Sequence, residues 1–164
     1  MFNNIVLSVT CVLALSINFA NFQEYNEIWQ IEIPNISLNA NIAEGTTKEV
    51  MDVSIGHFIN TDKWNGNIGL AAHNRGYKVN YFKDLKDLKI GDKIIYRYKI
   101  RKKEYEIYSI SIISDEDWSY LNNTEENTIT LITCLENRPN MRRCIQGKQT
   151  STKLFSDLPS DSSK

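Results

Sequence analysis

The sequence predicts a mostly β domain closed into a barrel, and three observations carry that prediction. Short apolar runs follow one another from Ile28 onward, and most alternate apolar with polar residues at the period of a half-buried strand. Gly, Pro, Asn and Asp punctuate them at short intervals. Helical spacing is convincing only once beyond the N-terminal stretch. About seven or eight short strands with that many turns leave edges to be hidden, and closure hides them.

The 164 residues hold one domain, read as 28–149. Residues 1–20 form an apolar segment before it, of which Ile5 to Ala20 carries no charge. That core is shorter than the ~20 residues that comfortably cross a bilayer, so it reads as an export segment. It is expected to stay as a membrane anchor helix, although Ala14-Leu15-Ser16 offers a small-x-small cleavage site and the first basic residue is only Lys48. A buried first helix is the plainer alternative. Residues 21–27 are a polar linker, and 150–164 a polar tail expected to fray.

Within the domain, Ile31 to Ile33 and Ile36 to Ile42 alternate as strands, with Pro34 between them at a connection because it donates no ladder hydrogen bond. Asn67 to His73 is nearly continuously apolar, as a strand buried on both faces requires, and Asn74-Arg75-Gly76 ends it. Tyr81, Leu85 and Leu88 fall at i, i+4 and i+7, which predicts a two-turn helix over Tyr81 to Lys89. Lys93 to Ile100 and Tyr105 to Ile113 form a long hairpin turning through Arg101 to Glu104. Asp115 to Thr124 connects to the strand Thr128 to Cys134, and Arg142 to Lys148 is the last strand, reached through a turn-rich loop from Leu135 to Met141.

Composition excludes more than it selects. A hydrophobic content of 41% with a net charge of −1 gives no global attraction to nucleic acid or anionic lipid. The basic and aromatic residues interleaved in the 93–113 hairpin are those of any half-buried hairpin, so no nucleic-acid partner is expected. The cysteines Cys11, Cys134 and Cys144 form no C-x-x-C pair. A zinc site would need Cys134, Cys144, His57 and His73 to converge, no acidic run has EF-hand spacing, and neither metal nor cofactor is expected.

The chemistry-bearing residues sit at strand ends. Cys134 closes the stiff run Thr130-Leu131-Ile132-Thr133, and His73 leaves the strand Gly69-Leu70-Ala71-Ala72. A lone cysteine in a β domain is ordinarily an inert core residue. It becomes a nucleophile when a cation or a base stands near, and His73, Arg142 and Arg143 are candidates for that place. Alternation sends the two arginines to opposite faces, so only one can point at Cys134.

These motifs resemble, in order, those of the sortase family, the cysteine transpeptidases of Gram-positive bacteria. The resemblance covers Ile31 to Gly147 and rests on Thr130-Leu131-Ile132-Thr133-Cys134, on the strand ending in His73, and on Arg142-Arg143-Cys144-Ile145-Gln146-Gly147. It implies an eight-stranded barrel, no cofactor, and cleavage of a Leu-Pro-x-Thr-Gly-like sorting signal on an exported protein. Cys134 would form the thioacyl intermediate, His73 would move the protons, and Arg142, chosen over Arg143 by counting back from Gly147, would hold substrate and oxyanion. A cell-wall amine, on a peptidoglycan precursor or another acceptor, would resolve the intermediate. The anchor at residues 5–20 would leave this domain outside the cell membrane. Trp64 to Asn67 and Asp117 to Leu121 look like class B or D relatives.

The neighbours have plainer readings. Thr133 either binds substrate through its hydroxyl or simply fits a pleated strand. Asn74 either orients His73 or closes the turn. His57 is expected to be a hydrogen-bonded structural histidine and Cys144 a buried core residue. Trp64 and Trp118 are expected in core or loop packing.

Overall fold

The computed structural model describes residues 28–154. The expected anchor at 1–20 and the linker at 21–27, Cys11 with them, lie outside the described residues, as does the tail from 155 onward. Among the described residues no helix is long and apolar enough to cross a membrane.

Eight strands close into a barrel: β1 (Trp29–Ile33), β2 (Leu38–Glu44), β3 (Ile55–His57), β4 (Asn67–Ala71), β5 (Lys93–Tyr98), β6 (Arg101–Ser114), β7 (Thr128–Leu135) and β8 (Arg138–Leu154). Around the barrel the order is β1-β2-β3-β4-β7-β8-β6-β5, with β5 pairing back onto β1. The β2–β3 and β4–β7 neighbours are parallel and the others antiparallel. The strand period decides what fills the interior. Ile31 and Ile33, Leu38, Ala40 and Ile42, Ile68 and Leu70, Ile94 and Tyr96, Ile129 and Leu131, and Ile145 all point inward and are buried together. Each large aliphatic side chain withdrawn from water in this way contributes roughly 1.5–3 kcal/mol.

Several expected elements are redrawn. Tyr81 to Lys89 is not a two-turn α-helix: successive turns lead into a single 3-10 turn at Leu85–Asp87. Phe82, Leu85 and Leu88 are buried against the barrel, so apolar spacing here reflects a chain segment lying on the core through successive i→i−3 turns, such as Leu85 N–H to the Phe82 carbonyl, and not α-helical bonding. The one described α-helix, α1 (Lys48–Met51), is too short to show a period. Strand β3 escaped notice for the same reason. The β5–β6 hairpin turns earlier than expected, at Lys99 and Ile100, with Lys99 in the left-handed region at φ 55°. Residues 101–104 therefore belong to a strand, and Lys103 points inward.

That lysine is almost wholly buried. Its Nζ donates to the Trp64 carbonyl and stands 4.4 Å from the Trp64 ring centroid. Burial, aided by Arg101, lowers its pKa to about 8. Trp64 thus packs as expected, over Lys103 and Tyr96. The last strand is also longer than expected. Residues 150–154 continue β8, and 151–154 pair with Arg101–Glu104 of β6 beyond a register shift at Thr150, so the barrel wall extends past 149.

Two glycines allow close approach around the site. A Cβ on Gly69 of β4 would lie 2.8 Å from Leu121 Cδ2, in the connection that covers this face. On Gly56 of β3 it would lie 2.5 Å from the Gly45 carbonyl oxygen, which is backbone and cannot swing away. Gly56→Ala is therefore expected to cost about 2–3 kcal/mol, as overpacking against a fixed neighbour does. A urea midpoint that does not fall, measured at unchanged m-value, would contradict this.

Candidate active site

Strand β7 runs between β4 and β8, so three neighbouring strand ends carry the three candidate groups. Ala71 of β4 lies opposite Ile132 of β7. Just beyond, the Thr133 hydroxyl donates to the Ala72 carbonyl at 2.7 Å, which brings His73 out of β4 at the level of Cys134. On the other side Cys134 lies directly opposite Arg142. Ile132 and Cys134 share the outer face with Cys144, and Ile113, Ile132 and Cys144 form a small second core there with Phe58, Tyr120 and Leu121. This core floors a groove of about 480 Å³ whose walls include Thr46, Met51, Tyr77, Trp118 and all three candidates.

Each candidate is held differently. The Cys134 residue is exposed, and its carbonyl accepts a 2.7 Å hydrogen bond from Asn74 Nδ2. Asn74 therefore neither orients the His73 ring nor merely closes a turn: it ties the β4 exit to the end of β7. Arg142 follows an irregularity in the ladder, where the partner of Cys134 is Arg142 but that of Leu135 is already Arg138. Residues 139–141 bulge out. The guanidinium knits the bulge from inside, Nη1 donating to the Pro139 and Met141 carbonyls at 2.6 and 2.9 Å, while Nη2 lies 3.3 Å from Asp115 Oδ2. The loop expected over Leu135 to Met141 is thus a tight turn at Glu136 and Asn137, with Asn137 at φ 59°, followed by a bulged strand. Bulges commonly re-aim side chains beside functional sites.

His73 is only 8% exposed. Tyr77 stacks flat on its ring, with centroids 3.5 Å apart and planes 7° from parallel. Burial lowers the imidazole from its usual range; Asp52 pulls it back up and Lys48 pushes it down. At neutral pH the ring is mostly uncharged, as an acceptor of protons must be.

The other expectations divide. Arg143 pairs with Thr133 and lines a second cavity of about 210 Å³ beside Lys83 and Lys86 that Cys134 also borders, so Arg142 is the arginine that shares a groove with both Cys134 and His73. Thr133 spends its one proton on Ala72, a brace between strands that leaves no donor for an oxyanion. His57 is fully buried with Nδ1 2.9 Å from Glu44 Oε1 and Nε2 3.0 Å from the Asp62 carbonyl, a structural pairing. Burial raises the Glu44 carboxyl, but hydrogen bonds from Lys63 and His57 outweigh it and hold the group below its usual range. Cys144 is buried, which pushes its thiol up to about 12.

Trp118 takes the loop-packing half of its expectation: from the β6–β7 connection it stands edge-on to Phe58 at the groove wall, 59% exposed. Asp52, Tyr77 and Asp115 were not anticipated at all. Asp115 lies in a visibly acidic connection, but nothing in the sequence spacing ties Asp52 or Tyr77 to His73.

A closed eight-stranded barrel with a cysteine, a histidine and an arginine on one apolar-floored groove has the layout that thiol-dependent acyl transfer requires. Residues 31–150 match the family model described as the sortase domain. The chain belongs to the sortase family. Sortase A of Bacillus anthracis is 29% identical over 127 residues, which are 77% of this chain and 60% of that relative's length. The structure of a Clostridium perfringens Sortase D5 transpeptidase aligns with a TM-score of 0.69 at 34% identity, covering 76% of this chain and 79% of that one. Sortase C-3 of Streptococcus pneumoniae shares the fold, with a TM-score of 0.72 at 23% identity over 79% of this chain and 65% of the other.

Proposed function

We propose that this chain is a cysteine transpeptidase that cleaves a Leu-Pro-x-Thr-Gly-like sorting signal and passes the acyl group to an amine of the cell wall. The observation that carries this reading is the shared groove, which Cys134, His73 and Arg142 line from β7, the exit of β4 and β8. The Cys134 thiol gives its proton to His73 as sulfur attacks the Thr carbonyl carbon. Collapse breaks the C–N bond, and the imidazolium returns the proton to the departing amine. The incoming amine then attacks the thioester, His73 takes its proton, and breaking the C–S bond restores the thiol with that proton.

Arg142 faces the charge that develops on the carbonyl oxygen. Its seat on Asp115 and two backbone carbonyls fixes the guanidinium before substrate arrives, which is the condition for an effective oxyanion donor. The apolar floor and the Phe58–Trp118 wall suit the apolar part of the sorting signal. The N-terminal segment at 5–20 is the anchor that keeps such an enzyme at the membrane, with residues 28–149 and their extension on β8 as the catalytic domain outside it. The partners are exported proteins bearing the signal, and a peptidoglycan precursor or another amine donor.

The test is to incubate the chain with sorting peptides and follow products by mass spectrometry with and without a primary amine. Amine-dependent ligated product is expected. Peptide hydrolysis indifferent to added amine would make the chain a thiol hydrolase instead. In the same assay Arg142→Ala is expected to lower kcat on the order of 10²-fold, and Arg143→Ala to change it by less than about threefold. The reverse ranking would move the oxyanion role to Arg143.

A further inference from the structure

The roof over His73 contains a carboxylate for which the scheme above has no task. Helix α1 runs directly into Asp52, whose Oδ1 lies 3.7 Å from His73 Nε2 while Oδ2 holds Lys48 Nζ at 2.5 Å. Nε2 is buried and makes no hydrogen bond, the kind of N–H that is expensive to leave open. Of the two ring nitrogens it is the one buried without a partner. Tyr77, stacked on the ring, and Lys48, 5.6 Å from the Tyr77 centroid, complete the enclosure.

We propose that Asp52 is a positioning residue for His73: its carboxylate holds Nε2–H on the closed side, turns Nδ1 toward Cys134, and stabilises the ring's charge when Nδ1 takes a proton. A carboxylate behind an imidazole fixes tautomer and orientation without itself accepting the proton. Lys48 competes for the same carboxylate and weakens its hold on the ring. The remaining charged or titratable groups on this groove are Tyr77 from the β4–β5 connection, Cys134 from β7, Arg142 from β8, and Asp115 and Asp117 from the β6–β7 connection. Asp115 is engaged by Arg142, so Asp52 is the carboxylate facing Nε2. The opposed pulls of Asp52 and Lys48 on the imidazole agree with this arrangement. The part played in proton transfer rests on the transpeptidase reading; the placement of the ring's charge does not.

The experiment is long-range proton–nitrogen NMR of the ¹⁵N-histidine-labelled full chain, in which the two histidines make His57 an internal reference. Neutral His73 is expected as the Nε2–H tautomer. Asp52→Asn should move its titration midpoint down by about half a pH unit or more, and Lys48→Met should move it up. Both substitutions break the same ion pair, so a merely structural role would move His73 the same way in each. Shifts of the same sign, no shift, or an Nδ1–H tautomer would overturn the proposal. In turnover assays Asp52→Asn should lower kcat about tenfold with KM held, and displace the pH profile. Opposed NMR shifts in a chain that never transfers an acyl group would uphold Asp52's placement and sink the transpeptidase reading alone.

Discussion

Cys134→Ala is expected to abolish product formation, a loss on the order of 10⁴-fold or more, while leaving the barrel folded. The chemistry has no substitute for the sulfur. Cys144 is buried behind the groove floor, and burial keeps its thiol protonated far above neutral pH. Thr133 directs its hydroxyl to Ala72. The cost to folding should be within about 0.5 kcal/mol, because residue 134 is exposed and its structural tie is the backbone carbonyl that Asn74 grips, which alanine keeps. Thermal unfolding and peptide turnover measured side by side check both halves. A variant with normal turnover would remove Cys134 from the mechanism; one that unfolds would show the side chain to be structural.

His73→Ala is expected to be nearly as severe, on the order of 10³-fold in kcat/KM, since in the proposed scheme one imidazole serves both proton transfers. The variant leaves a ring-sized space between Tyr77 and the end of β4. Added imidazole should therefore restore part of the activity, and retained turnover without it would require another proton carrier. Stability gives a second readout. The folded ring resists a proton that the unfolded chain accepts near its ordinary pKa, so the unfolded state binds more protons as pH falls below about 6.5. His73 thus costs the native state stability in that window, and the alanine variant should lose less on mild acidification than the parent does.

Much of this was legible in the sequence where the physics is local. Period-two alternation over Leu38 to Ile42 and from Ile129 onward placed strands and their inward faces, because burial on one side of a pleated sheet writes that period directly. The strand expected from Ile36 starts only at Leu38, after a 3-10 turn at Pro34–Ile36 and Ser37 at φ 50°. The ends of two strands and the register of a third were enough to gather Cys134, His73 and Arg142. What stayed hidden depends on contacts between segments distant in the chain. Tyr81 to Lys89 spaces its apolar residues like an α-helix because it lies across a curved core, and nothing local says that its backbone bonds close turns at i→i−3 instead of i→i−4. Lys103 looked like a turn residue because its partners, the carbonyl and ring of Trp64, are brought to it only by the closed barrel. Asp52 and Tyr77 reach His73 in the same way, from a helix too short to have a period and a connection with no regular structure.

The parallel seam between β4 and β7 has a kinetic consequence. Its hydrogen-bonded partners stand about sixty positions apart, as the Thr133–Ala72 bond does at a separation of 61. Parallel pairing cannot be closed by a hairpin, so the entropy of a long loop must be spent before that seam gains anything. Nucleation on the local β5–β6 ribbon should come first and the seam late, on the millisecond-to-second scale usual for topologies of high contact order. A folding chain would therefore hold the Cys134 sulfur and the His73 ring far apart through most of its folding, and bring them to one groove only as the last strands zip together.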